Sequence, residues 1–149
     1  MKNTIQMAPR FVTLGAILAL LTASAVAGAE PVCTQATMQG TYMTFGTGTL
    51  GAGTSGAATY ASVGKVIYDG QGNGQGSSTQ SVGGVTGRGT STATYTVNSD
   101  CTGTKTFGGT GGTTMDFVIT ADGREIFWIV TNAGRVVSGR AVRLDASRN

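Results

Sequence analysis

Histidine is absent from the 149 residues, and cysteine and proline occur only twice each. Without histidine, Ser-His-Asp and Cys-His catalysis and the common Cys/His metal sites are excluded. No metal site and no cofactor is expected. Charge is also scarce. Asp, Glu, Lys and Arg make up 11% of the chain, against the usual quarter. The formal net charge of +3 hints at nucleic acid, but two of the ten cations, Lys2 and Arg10, sit in an N-terminal leader. The remaining eight face seven anions and are scattered, whereas a grip on phosphates needs clustered cations. No nucleic-acid partner is expected.

Long apolar runs are missing except for one. Phe11 to Ala27 is mostly apolar, follows the polar segment holding Lys2 and Arg10, and ends in Ala25-Val26-Ala27 and Ala27-Gly28-Ala29. That is the pattern of a signal peptide. It is short for a membrane span and is interrupted by Thr13, Gly15, Thr22 and Ser24. Cleavage is expected after Ala27 or Ala29, which makes residues 1–27 the leader and 30–149 a single exported domain, periplasmic or extracellular, with no stable membrane insertion after cleavage. In an oxidising compartment Cys33 and Cys101 most simply form one structural disulfide. The alternative is two free buried thiols.

What is abundant is glycine, 25 residues of it, together with threonine. Apolar residues do not recur at helical spacing. They alternate, with β-branched and aromatic residues punctuated by Gly, Asn and Asp every eight to twelve positions, which reads as all-β. Eight strands are expected near 40–47, 57–69, 74–82, 89–98, 102–108, 113–121, 124–132 and 135–143. Asp69-Gly70-Gln71-Gly72-Asn73-Gly74 marks one hairpin, and the Gly/Thr/Ala/Ser stretch 46–56 reads as a loop. A turn at Asp122-Gly123 pairs Ile119 with Ile126, Phe117 with Trp128 and Met115 with Val130. Pairing Thr131 with Val136 then adds Val137, Gly139 and Ala141 to the same face, the expected core. The other face carries Asp116, Val118, Glu125, Phe127, Ile129 and Arg140, with Glu125 and Arg140 close enough to pair. Eight short antiparallel strands bury their edges by closing into a small β-barrel. A two-sheet β-sandwich is the alternative fold. A membrane barrel is disfavoured by the short strands and the lack of aromatic girdles.

Several local matches carry little weight. Gly46-Thr47-Gly48-Thr49-Leu50-Gly51 and Gly51-Ala52-Gly53-Thr54-Ser55-Gly56 fit a nucleotide-binding pattern, but no helix follows to receive a pyrophosphate. Ser62-Val63-Gly64-Lys65 fits a Ser/Lys nucleophile pattern, yet residues three apart on a strand face opposite ways. The glycine runs 70–76 and 108–112 lack the regularly spaced aspartates of calcium repeats. Acid–base candidates remain in Glu125, Asp116 and Arg140, and ligand-binding candidates in Tyr42, Tyr60, Tyr68 and Tyr95.

Cys33 followed by Gly40-Thr41-Tyr42, then Asp69-Gly70-Gln71-Gly72-Asn73, Tyr95-Thr96-Val97-Asn98-Ser99-Asp100-Cys101-Thr102-Gly103-Thr104, Gly123-Arg124-Glu125-Ile126 and Val137-Ser138-Gly139 resembles a family of small secreted bacterial all-β proteins. The resemblance implies export, an all-β domain and the Cys33–Cys101 pairing, and it brings no activity or site. By fold analogy alone, the strand count also resembles calycin and allene-oxide-cyclase barrels. Three functions follow as expectations: a non-catalytic binder of a small apolar or amphipathic ligand, a structural protein of the envelope or matrix acting by self-association, and a cyclase- or isomerase-like barrel enzyme.

Overall fold

The computed structural model describes residues 32–109 and 111–144. The expected leader, residues 1–27 or 1–29, lies outside the described residues. Eight strands form the domain: β1 Gln39–Leu50, β2 Ala58–Asp69, β3 Asn73–Val82, β4 Val85–Val97, β5 Thr102–Phe107, β6 Thr113–Ile119, β7 Glu125–Val130 and β8 Arg135–Arg143. Each pairs antiparallel with its sequence neighbour, and β1 pairs with β8 from Tyr42–Arg143 to Leu50–Arg135, so the sheet is a closed barrel. Closure leaves no free edge, which resolves the choice between barrel and sandwich.

Turn chemistry sets the register of the first hairpins. Asp69 ends β2, and its Oδ1 accepts hydrogen bonds from the backbone N–H groups of Gln71 at 2.7 Å and Asn73 at 2.9 Å. Between β3 and β4 the turn is only Gly83-Gly84, both at positive φ. A two-residue hairpin of this kind twists with its strands only when both residues reach that region, hence the two glycines. β4 therefore begins at Val85, four residues before the expected start.

The C-terminal meander has the expected register, with Ile119–Ile126, Phe117–Trp128, Met115–Val130 and Trp128–Gly139 as partners. The Asp122-Gly123 turn keeps its centre but widens. Pairing ends at Thr120 and Glu125, whose backbones bond at 2.9 Å. The expected loop 46–56 is shorter, because β1 continues to Leu50. Gly46 belongs to that continuation for a steric reason: a Cβ there would collide with the indole of Trp128, as would one at Gly139 on the neighbouring strand. Gly103 makes the same room for the Phe117 ring. These three glycines thus let large rings fit inside a narrow barrel.

One end of the lumen is floored. A 3-10 turn, Gln35–Met38, lies across it with Met38 fully buried. Gln35 accepts from the Val97 N–H at 2.8 Å through Oε1 and donates Nε2 to the Tyr95 carbonyl at 3.2 Å. The Tyr42 hydroxyl donates to the Gly123 carbonyl at 2.6 Å. Tyr42, Tyr68 and Tyr95 pack edge to face above this turn, at 5.5 Å and 5.2 Å between ring centroids. The disulfide Cys33–Cys101 fastens the segment to the β4–β5 turn, and the Cys33 N–H donates to the Ser99 carbonyl at 3.1 Å. Among the described residues no helix is long and apolar enough to cross a membrane.

Candidate functional site in the lumen

The opposite end of the lumen is open. The upper parts of β3 and β4 are exposed, including Ser77, Ser78 and Gln80 on one strand and residues 88–92 on the other. Below this rim lies a cavity of about 300 Å³ whose lining includes Tyr60, Ser62, Lys105, Phe107, Met115 and Trp128. Its wall is mixed, with hydroxyls towards the mouth and rings and aliphatic side chains below.

Lys105 is the decisive residue, and it is not among the sequence candidates. It sits on β5 between Gly103 and Phe107 on the inward face, opposite Tyr95 of β4 and Met115 of β6, and is only 3% exposed. Its ammonium lies over three rings, 5.4 Å from the Trp128 centroid, 5.6 Å from Phe107 and 6.0 Å from Phe117. Such contacts each offset about 0.5–2 kcal/mol of a buried cation's cost, well short of full desolvation. Among the described residues Lys105 has neither a hydrogen-bond acceptor nor a carboxylate partner. Burial accordingly pushes its pKa down to about 7. A second polar group is orphaned in the core: Trp128, 7% exposed, buries Nε1–H with no acceptor.

The signal for Lys105 was present in its phase. On a strand, residues 103, 105 and 107 share a face. Once β5 is registered against the core face of β6, Lys105 meets Met115 and must point inward. Composition alone assigns a lysine to solvent.

The sequence candidates separate into two groups. Tyr60 and Tyr68 line the cavity, whereas Tyr42 and Tyr95 belong to the floor, where their hydroxyls serve carbonyls of the turns. Burial raises the pKa of Tyr42, Tyr68 and Tyr95. Asp116, Glu125 and Arg140 all stand on the outer surface. Arg140 donates to Glu125 Oε1 at 2.6 Å in a solvent-exposed pair, and Asp116 borders an outer groove with Val118, Phe127 and Ile129. None of these three reaches the lumen. Ser62 faces the lumen while Lys65 faces outward, so they cannot act as a nucleophile and its base. Among the described residues no three His, Cys, Asp or Glu side chains converge to hold a metal. Comparison with protein-family models, curated proteins and solved structures finds no match for this chain.

Proposed function

We propose that this protein is an exported binding module that holds a small amphipathic molecule in its barrel lumen without transforming it. The observation that carries the reading is the cavity itself: an open-mouthed space, polar at the rim and aromatic below, with a buried and unpartnered amine on its wall. Pockets of about this size enclose most of a small ligand's surface, and a few placed polar groups fix its orientation. A purely structural barrel would gain by replacing Lys105 with an apolar residue. The disulfide fits an oxidising compartment, periplasmic or extracellular.

Native mass spectrometry of the protein purified from its exporting host tests the reading. A monomer carrying one reproducible small-molecule adduct is the expected result, and a bare monomer that takes up no amphiphile added at millimolar concentration opposes it. A second reading, self-association, draws on the exposed apolar side chains Met43, Phe45, Val118, Phe127 and Ile129 of β1, β6 and β7. Ladders of oligomers in the same spectra would favour it.

A further inference from the structure

We infer that the molecule held in the lumen is a monocarboxylate, with its anionic head against the Lys105 ammonium and its apolar tail along the Trp128 ring. The inference rests on the lumen-binding reading and adds the ligand's charge to it.

Lys105 lacks an acid of its own. The five carboxylates among the described residues are accounted for elsewhere: Asp69, Asp100 and Asp122 bond within their own turns, Glu125 pairs with Arg140, and Asp116 is on the outer surface. The titratable groups that face the lumen are phenols: Tyr42 from β1, Tyr60 and Tyr68 from β2 and Tyr95 from β4. Arg88 of β4 borders the same cavity at the rim. The inward positions of β3, β6 and β7 are uncharged, as are those flanking Lys105 on β5, while β8 carries Arg143 in the inward phase at the floor, beside Tyr42. The lumen therefore has one fully buried cation, Lys105, with Arg88 at the rim and Arg143 at the floor, and no anion. A buried ammonium with no built-in acceptor complements an oxyanion. One buried positive charge matches one negative charge, which favours a carboxylate over a phosphate dianion. At protein-like packing density the cavity admits about ten non-hydrogen atoms. With its charge satisfied, the amine gains a reason to be protonated. Binding an anion therefore raises the pKa of Lys105 from about 7, and complex formation above neutral pH takes up a proton.

The test uses octanoate, octanamide and octylammonium, which share a tail and differ in head charge. They are titrated into the oxidised protein and followed by the fluorescence of Trp128, the chain's single tryptophan. At pH 6.5 octanoate is expected to bind at least tenfold more tightly than octanamide, and octylammonium more weakly than either. From pH 7 to 8.5 the octanoate Kd should climb by up to about tenfold per unit, while that of octanamide stays level. Lys105→Met should reduce octanoate to the affinity of octanamide without weakening octanamide. A measurement on the unaltered protein stands beside the variant: calorimetry with octanoate at pH 8, in buffers of different ionisation enthalpy, should show uptake of up to one proton. Octanamide matching octanoate at every pH, or binding without proton uptake, overturns the carboxylate assignment and leaves lumen binding intact. If none of the three probes binds, by fluorescence or by calorimetry, both readings fall.

Discussion

Between pH 7 and pH 9 the folded protein should become more stable, and Lys105 should be the cause. In the unfolded chain a lysine keeps its proton until about pH 10.4, whereas the buried amine of the native state releases it near 7. Across that interval the unfolded state binds more protons, so stability increases with pH. The native penalty is fully present below pH 7 and vanishes above the unfolded pKa. Working the two titrations through gives a penalty of about 4 kcal/mol at pH 7 and about 2 kcal/mol at pH 9, a gain of about 2 kcal/mol over the window. The absence of histidine keeps this interval free of the side chain that ordinarily titrates closest to it. Above about pH 10 the trend should reverse, because burial raises the pKa of Tyr42, Tyr68 and Tyr95. Their contribution is complete below the unfolded tyrosine pKa and is lost as pH rises through the folded values. Urea unfolding of the oxidised protein at half-unit pH steps, compared with Lys105→Met, measures this directly. The wild-type midpoint should climb from pH 7 to 9, and the variant should start higher and stay flat. A flat wild-type profile, or the same rise in the variant, would refute the account of a desolvated and unpaired amine.

Other perturbations separate the core from the surface. Trp128→Ala should cost about 3–5 kcal/mol in urea unfolding by emptying the lumen's largest ring site; a loss below about 1 kcal/mol would mean the ring is not packed as described. Reducing Cys33–Cys101 releases a loop spanning 68 positions and should lower stability by about 4 kcal/mol in the chain-entropy picture, seen as a lower denaturant midpoint with dithiothreitol. Arg140→Ala breaks only an exposed pair and should stay within about 1 kcal/mol of wild type. A much larger loss would show that Glu125 is held in a drier setting than the outer surface provides.

The meander β6–β8 is readable from sequence because, among its paired residues, one face holds no polar residue and its turns are short. Once Phe117 is set opposite Trp128, Met115, Ile119, Ile126 and Val130 fall on that same face. β1 was harder. Gly46-Thr47-Gly48-Thr49 has the composition of a loop, and it is a strand because Trp128 and the β8 backbone occupy the space where Cβ atoms would stand. That reason lives in tertiary packing. Lys105 was missed on similar grounds. Thr102-Gly103-Thr104-Lys105-Thr106-Phe107 offers two faces of comparable polarity, so only pairing to β6 decides which one turns inward. The acid–base candidates Asp116, Glu125 and Arg140 carry suitable chemistry on the outer face. Their face was already assigned to the outside by the same register that located the core.

The floor has a consequence for traffic. The Gln35–Met38 turn, the three packed phenols and the disulfide seal one end of the cylinder, so the interior is a vessel and not a conduit. Nothing passes through it from end to end. A guest and the water it displaces share one doorway beneath the β3–β4 overhang, and departure retraces arrival. On the proposed lumen-binding reading, the lifetime of a complex would be set at that doorway, by the Ser, Thr and Gln side chains of the rim, and selectivity deeper, where the indole and the amine lie.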